Sequence, residues 1–174
     1  MKKILSLCIK ENFPAAYELM KNSFHPAEIR SYEKALEILD NPEYSLYTAG
    51  QGKVDGILGV WNFEEFIFME HLAVQTHTRG TGLGTSMMKE FLASCTKPAI
   101  LEVEDEDSDI AKRRIGLYER LGFFLTDFGY IQPVMQKSET ARIPLKIMSY
   151  KVKIDNDTLN QYKKVLAKKL SPTV

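Results

Sequence analysis

Apolar and polar positions recur along the chain in two periods, and the change of period marks the predicted elements. Apolar residues at every second position are typical of strands, and apolar residues three and four positions apart are typical of amphipathic helices. The pattern predicts strands at residues 4–9, 44–49, 54–61, 66–74, 100–103, 123–130 and 145–150. It predicts helices at residues 14–22, 28–39, 80–95, 110–121 and 157–170. This order predicts an α/β fold with a mixed sheet that carries helices on both faces.

Composition narrows the classes of protein to consider. The chain has 174 residues, which fits a single domain at 1–174. It has 23 Lys and Arg and 23 Asp and Glu, so its net charge is zero and no nucleic-acid partner is expected. Neither an apolar run of membrane-spanning length nor a signal-peptide pattern is seen, so no membrane partner is expected. Cys8 and Cys95 lack metal-ligand spacing, so we expect reduced cysteines, no bound metal and a cytoplasmic protein.

A glycine-rich segment directly after the strand at 66–74 carries the candidate chemistry. It consists of Arg79, Gly80, Thr81, Gly82, Leu83, Gly84 and Thr85. Glycine lets the backbone turn tightly, and the free amides of a helix N-terminus attract an anion. The spacing matches neither a dinucleotide-binding loop nor a P-loop. The segment therefore predicts a pyrophosphate site, with a plain helix-starting turn as the alternative.

Three segments in order resemble the GNAT family of N-acetyltransferases. The first is the strand end Leu72-Ala73-Val74 followed by Arg79 to Gly84, where the family has Arg or Gln, two variable residues, Gly, one variable residue and Gly or Ala. The second is the strand Leu101-Glu102-Val103, and the third is Leu117-Tyr118-Glu119-Arg120-Leu121-Gly122-Phe123. The clear resemblance covers residues 54–124.

The resemblance implies a fold and a cofactor. It implies a mixed, mostly antiparallel sheet in which the strand ending at Val74 splays from the strand at 101–103. Acetyl-coenzyme A would lie in the gap, its pantetheine on the backbone of Leu72 and Val74 and its pyrophosphate on residues 79–85. A backbone amide of Leu72 or Ala73 would hold the oxyanion. Residues 104–114 are longer and more acidic than the family pattern and lack its Asn.

Acetylation of an amine requires a neutral amine, and at pH 7 very little of a lysine-like amine is neutral, because its pKa is about 10.4. Glu70 is our candidate general base, since alternation places it on the strand face of Leu72 and Val74. Similar histone-acetylating enzymes place their base on this strand two residues earlier, where this chain has Phe68. Glu102, Glu104 and water are the alternatives. Alternation puts His71 on the opposite face, as a packing residue.

Tyr118 is the candidate acid that protonates the leaving thiolate, because the resemblance places its hydroxyl near the thioester sulfur. A phenol is a weaker acid than a thiol, so proton transfer from it is uphill by about 2 kcal/mol. We therefore expect either a hydrogen bond that strengthens in the transition state or a phenol that Arg113 or Arg114 acidifies. Tyr118 as a plain packing residue is the alternative.

Together these expectations describe a transfer of acetyl from acetyl-coenzyme A to a primary amine of a small molecule or peptide by direct attack. The alternatives are a regulatory module that binds acetyl-coenzyme A without catalysis, and an adaptor that docks through its lysine-rich C-terminal helix. That helix, at 157–170, is expected to pack as an end of the fold or to form a homodimer contact. The acidic loop 104–109 either attracts a cationic substrate or is a solvated helix start. The sequence leaves the acceptor open.

Overall fold

A computed structural model of the chain describes residues 3–133, 135 and 142–171. Its strands are β1 (Leu5–Leu7), β2 (Tyr44–Ala49), β3 (Gly56–Asn62), β4 (Ile67–Val74), β5 (Ala99–Val103), β6 (Phe123–Ile131) and β7 (Pro144–Tyr150). Its helices are α1 (Phe13–Ser23), α2 (Tyr32–Glu37), α3 (Leu83–Ala93), α4 (Asp109–Arg120) and α5 (Asn156–Leu170). Short 3₁₀ turns lie at Pro26–Glu28, Ile38–Asp40 and Thr76–Thr78.

The strands form one sheet in the order β1-β2-β3-β4-β5-β7-β6. Every neighbouring pair is antiparallel except β4 and β5, which are parallel. A parallel pair needs a crossover, and the segment that contains α3 supplies it. The predicted fold class, a mixed and mostly antiparallel sheet, is confirmed.

The parallel pair separates partway along its length. Ile67 to Met69 of β4 pair with Ala99 to Leu101 of β5, and the pairing ends there. Both strands continue, β4 to Val74 and β5 to Val103. Beyond Met69, the edge of β4 that faces β5 therefore has no strand partner among the described residues, and a gap opens in the middle of the sheet.

A β-bulge lies on the other edge of β4, at the same level. Gly59 of β3 pairs with His71, and the next residue, Val60, pairs with Met69. Glu70 is thus the extra residue of the bulge. Because one added residue reverses the alternation of side chains, the residues after Glu70 face the opposite way from a strict period-two pattern.

Each face of the sheet carries its own hydrophobic core. On one face, buried residues of α1 and α5 pack on Trp61, Phe66 and Phe68; the rings of Phe66 and Tyr162 stack with centroids 4.0 Å apart. On the other face, α3 and α4 pack on Leu58, Val60, Ile67 and Met69. Helices on both faces, as predicted, let residues of opposite faces meet at the gap between β4 and β5.

Two predicted helices differ from the structure. The segment predicted as one helix at 28–39 contains α2 only at Tyr32–Glu37, because Ile29 is extended and buried and Ser31 caps the new helix at Lys34 N. Burial in the tertiary core thus outweighs helix propensity there. The helix predicted at 80–95 begins at Leu83, because Gly80 and Gly82 have φ of 80° and 84°, which a right-handed helix cannot contain.

The remaining elements agree with the prediction to within a few residues. The first strand is shorter than the predicted 4–9, since it covers Leu5–Leu7. The backbone amides of Ile4 and Leu5, at the start of this strand, donate to the Glu90 carboxylate of α3 at 2.7 and 3.1 Å.

Cys8 and Cys95 are both free thiols. Within the described part of the chain, no helix is both long and apolar enough to cross a bilayer.

Candidate active site

A cavity of about 230 Å³ lies at the gap between β4 and β5. Its lining brings together the predicted residues Glu70, Leu72, Glu102, Glu104 and Tyr118. It also contains residues of the segment between α1 and α2 that the sequence did not single out, namely Phe24, His25 and Glu28. Ala73, Val74 and residues 79–85 are not among its lining residues. The cavity therefore joins the candidate catalytic groups but not the whole predicted cofactor site.

The glycine segment begins α3 as a turn with an open surface. Gly82 is the N-cap residue, and the helix start lacks a capping side-chain hydrogen bond. The first amides of a helix have no partner inside it, so the amides at Leu83, Gly84 and Thr85 are available to a ligand. No atom lies within 4 Å of a Cβ built on Gly80 or Gly82. Arg79 is exposed beside this turn, so the local geometry suits an anion.

Glu70 is held in a buried ion pair. Nη1 of Arg30 lies 2.9 Å from Glu70 Oε1 and 3.0 Å from Oε2, and the Glu70 side chain has no exposed surface. Burial alone would raise the pKa of Glu70, but Arg30 and His71 outweigh it and hold the pKa at about 2. A carboxylate of that pKa is a weak proton acceptor.

The predicted facing of Glu70 and His71 is wrong, and the bulge is the reason. Strict alternation places Glu70 with Leu72 and Val74, but those two residues pack in the α3/α4 core, whereas Glu70 meets Arg30 on the α1/α5 face. His71 does not point away from Glu70, since its Nδ1 lies 3.3 Å from Glu70 Oε2. The extra residue at Glu70 brings both side chains to the α1/α5 face.

Glu102 has an environment opposite to that of Glu70. Its Oε2 accepts a hydrogen bond of 3.1 Å from Gln132 Nε2, while its Oε1 is buried without a hydrogen-bond partner among the described residues. Burial raises the pKa of Glu102 to about 8; the negative charges of Glu70 and Glu28 add to this, and Tyr130 and Gln132 oppose it. No sequence motif identifies Arg30, Tyr130 and Gln132 as residues of the site. They are recognised only because the fold places them beside Glu70 and Glu102.

Tyr118 reaches the cavity from α4, and its side chain is buried. Burial raises the pKa of Tyr118, and Arg114 only partly offsets the increase. The expectation that arginine makes this phenol more acidic than usual is therefore wrong, because loss of hydration outweighs the nearby charge. Tyr118 can donate a hydrogen bond but is a poor source of a free proton.

The acidic segment 104–109 leads into α4. Ser108 caps the helix by accepting from Ala111 N at 3.1 Å. Asp105 lies 2.9 Å from Lys146 Nζ, and Glu104 Oε2 lies 3.9 Å from Arg114 Nη1. A groove of about 620 Å³ lies beside the segment and shares Glu104 with the cavity. Two of the five acidic side chains of the segment form these ion pairs, and Asp109 lies in the first turn of α4, where the helix dipole favours negative charge, so the segment serves as a helix start.

Comparison with known protein sequences gives two matches. A family model described as "Acetyltransferase (GNAT) domain" matches residues 42–124. "Putative acetyltransferase YjbC" of Bacillus subtilis (strain 168) is 29% identical over 150 residues, which are 84% of this chain and 77% of that protein. The family match contains β4, the glycine segment, β5 and α4, and so spans most of the cavity.

Solved structures share the fold. A "Putative acetyltransferase from GNAT family" from Bacteroides thetaiotaomicron has a TM-score of 0.87 and 24% identity, covering 98% of this chain and 99% of that chain. The ribosomal-protein-S18-alanine N-acetyltransferase from Escherichia coli has a TM-score of 0.62 and 20% identity, covering 88% of this chain and 96% of that chain. At these identities the likeness is one of fold.

Proposed function

We propose that the chain is an acetyltransferase of the GNAT family, whose model matches residues 42–124, and that it transfers acetyl from acetyl-coenzyme A directly to a primary amine. The observation that carries this proposal is the cavity at the gap in the sheet. Glu102 lies at one side of it with an unpaired oxygen, and Tyr118 enters from α4. An amine and a thioester that meet there have a proton acceptor and a proton donor beside them.

Glu102 is the general base of the proposal. Moving a proton from an amine of pKa about 10.4 to a carboxylate of pKa about 8 is uphill by about 3 kcal/mol. The same transfer to Glu70, at a pKa of about 2, is uphill by about 11 kcal/mol. Oε1 of Glu102 has no geometric hydrogen-bond partner among the described residues, although the Tyr130 hydroxyl acts on the same carboxyl, and it is the proposed acceptor of the proton of the incoming ammonium. Glu104 is more exposed and pairs with Arg114, which leaves Glu102 as the better acceptor.

Tyr118 is the hydrogen-bond donor to the leaving sulfur. The amine nitrogen would form the C–N bond to the thioester carbon as the carbonyl π electrons move to oxygen, and the nitrogen would lose its proton to Glu102. The electrons on oxygen would then re-form the C=O bond as the C–S bond breaks to give the thiolate. Because the pKa of Tyr118 is raised, its hydroxyl stabilises the thiolate mainly by hydrogen bonding. Gln75 N donates to Asp55 O beside β3, so alternation turns the Ala73 amide to β3 and the Leu72 amide to the unpaired edge of β4; the Leu72 amide is the proposed oxyanion donor.

The residues that would hold acetyl-coenzyme A run from the cavity to the glycine segment. The free edge of β4 at Leu72 and Val74 would pair with the pantetheine, and the amides that begin α3, with Arg79 beside them, would hold the pyrophosphate. The chain needs no metal for this chemistry. The acceptor is a primary amine of a small molecule or a peptide; the E. coli protein of the same fold is named for an alanine of a ribosomal protein.

Two measurements test the proposal. Isothermal titration calorimetry should detect binding of acetyl-coenzyme A, and a thiol-release assay over a panel of mono-, di- and polyamines, amino-acid amides and peptides should detect turnover. Absence of binding at millimolar acetyl-coenzyme A would refute the proposal. Binding without turnover of any amine would instead favour the non-catalytic regulatory module.

A further inference from the structure

The segment 24–30, which connects α1 to α2, forms one wall of the cavity through Phe24, His25 and Glu28. It contains a single 3₁₀ turn, so its own backbone hydrogen bonds do little to fix its position. We propose that Arg30, Glu70 and His71 form a clamp that fixes this segment on the bulge of β4 and thereby sets the affinity for the acceptor amine. The part concerning the amine rests on the proposed function.

Contacts at both ends of the segment define the clamp. At the near end, the rings of Phe24 and His71 meet with centroids 4.7 Å apart, and His71 Nε2 donates to the Glu28 carbonyl at 2.8 Å. At the far end, Arg30 Nη1 contacts both oxygens of Glu70 at 2.9 and 3.0 Å. Between the two partners on β4, His71 Nδ1 lies 3.3 Å from Glu70 Oε2. The segment is thus tied to two consecutive residues of one strand.

Arg30 is itself held rigidly. Its Cζ lies 5.4 Å from the centroid of the Trp61 ring, and its carbonyl accepts a hydrogen bond of 2.8 Å from the Tyr17 hydroxyl of α1. A buried guanidinium over an aromatic ring, paired with a carboxylate, has little freedom to move. The clamp therefore connects α1, the segment and β4.

The clamp depends on the β-bulge at Glu70. Without the extra residue, alternation would turn either Glu70 or His71 to the α3/α4 face. With it, both side chains reach the α1/α5 face, where the segment 24–30 lies. Burying an ion pair is a costly way to gain stability alone, because desolvation of both charges consumes most of the attraction. We therefore assign the ion pair the role of holding the cavity wall in a precise position.

The segment is on the side from which the amine approaches. The glycine segment and Tyr118 belong to α3 and α4, which cover the opposite face and serve the cofactor in the proposed function. The amine then enters past Phe24, His25 and Glu28, and displacement of that wall weakens its binding. Glu70 is a positioning residue, because it fixes the wall by holding Arg30. Glu102 remains the proposed general base.

The test compares wild type with the double variant Arg30→Met plus Glu70→Met. Replacing both charges by apolar side chains avoids leaving one of them buried without a partner. We expect faster hydrogen–deuterium exchange in residues 24–30, with α3 unchanged, and a rise of about tenfold in KM for the amine, as for loss of one charge-assisted contact. We expect the Kd for acetyl-coenzyme A to change less than threefold, and kcat to change less than KM for the amine, since loss of the Glu70 charge acts on kcat only by lowering the pKa of Glu102. The matched control is Lys34→Met plus Glu37→Met, which removes the exposed ion pair of α2.

A second variant, His71→Phe, keeps a ring beside Phe24 but removes the contacts to Glu28 and Glu70, and should show the same changes more weakly. Unchanged exchange in residues 24–30 of both variants overturns the clamp. A loss of kcat of a hundredfold or more in Glu70→Gln, with KM for the amine unchanged, makes Glu70 the base and also overturns it. If wild type acetylates no amine, the proposed function and the acceptor part of the clamp both fail, while the exchange data still decide whether the clamp holds the segment.

Discussion

Two glutamates at one cavity have opposite acidities because their neighbours differ. Glu70 faces a guanidinium at 2.9 Å and stays ionised, whereas Glu102 is half-buried with a neutral amide partner and with Glu70 as a nearby negative charge. One carboxyl is thereby fixed as a charge, and the other can exchange a proton near neutral pH. Environments that separate two pKa values in this way are a common means of assigning roles in active sites.

The raised pKa of Glu102 predicts a specific pH dependence of stability. The unfolded chain releases this proton near pH 4.5, and the folded chain releases it near pH 8. Between these values the folded state binds more protons, so this group lowers the free energy of unfolding as pH rises, by at most about 1.4 kcal/mol per pH unit. Glu102→Gln removes that loss. Urea unfolding at pH 5, 6.5 and 8 should show the variant gaining stability over wild type as pH rises.

The control for this experiment is Glu104→Gln, which removes a carboxylate two residues away whose side chain is 59% exposed. Its stability difference from wild type should stay nearly constant from pH 5 to 8. A Glu102→Gln difference that is equally flat would show that Glu102 ionises normally in the folded protein and would remove the main argument for its role as base.

Tyr118→Phe should separate catalysis from binding. The ring and its packing against Phe123, at 5.8 Å between centroids, are retained, so stability and acetyl-coenzyme A affinity should stay close to wild type. Loss of the hydroxyl should lower kcat by about a hundredfold, the lower end for acid catalysis, because the raised pKa limits proton donation. Steady-state kinetics on an amine found by the panel measure it. The same substitution at Tyr162, a buried residue of α5, should change kcat less than twofold, and equal effects at both tyrosines would make Tyr118 a packing residue.

The start of α3 is the element on which the proposed cofactor binding depends. Gly82→Asp places a carboxylate at the predicted pyrophosphate site, in a backbone conformation with φ of 84°. We expect acetyl-coenzyme A affinity, measured by calorimetry, to fall at least a hundredfold from bulk and charge repulsion. Gly52→Asp is the control, because Gly52 has φ of 72° and equally open surroundings in the β2–β3 turn. If Gly52→Asp lowers the affinity for acetyl-coenzyme A as much as Gly82→Asp does, backbone strain rather than loss of an anion site explains the result.

Much of the element pattern could be predicted because it depends on local sequence. Alternation in 54–61 and 66–74, the glycine turn at 50–53 and the apolar stripe of the last helix each report a nearby physical preference. The bulge at Glu70 was not predicted, since no glycine or proline marks it within β4 and the glycine beside it, Gly59, lies on the partner strand β3; the error in facing for Glu70 and His71 follows directly from it. The break in the helix predicted at 28–39 has a similar origin in tertiary contacts.

The partners of the site residues were also beyond sequence reasoning. Arg30 and Glu70 are 40 residues apart, and Gln132 and Glu102 are 30 apart, with no periodic pattern to connect them. The glycine segment and the Tyr118 motif were recognisable because each is a contiguous string. Contiguous motifs are thus predictable from one sequence, while the charges that set the pKa of Glu70 and Glu102 are assembled only by the fold.

At the scale of the whole molecule, the gap between β4 and β5 lets the two faces of the sheet meet. Glu70 and His71 face the α1/α5 side, while Tyr118 reaches the cavity from the α3/α4 side. The proposed cofactor and amine therefore approach from opposite faces and do not compete for one entrance. Neither cysteine is among the residues that line the cavity, so the described lining offers no thiol to carry the acetyl group.

This arrangement predicts a ternary complex and direct transfer. Double-reciprocal plots at several fixed amine concentrations should intersect, because both substrates must be bound before the C–N bond forms. Incubation with acetyl-coenzyme A alone should leave no stoichiometric acetyl group on the protein by intact-mass analysis, since a covalent intermediate needs a nucleophile at the thioester. The double variant Cys8→Ser plus Cys95→Ser should keep wild-type kcat, because both thiols lie outside the cavity and burial raises the pKa of each. Direct attack would be wrong if the plots were parallel and if the wild-type protein carried an acetyl group that the double variant lacks. Those results would indicate a two-step transfer through cysteine.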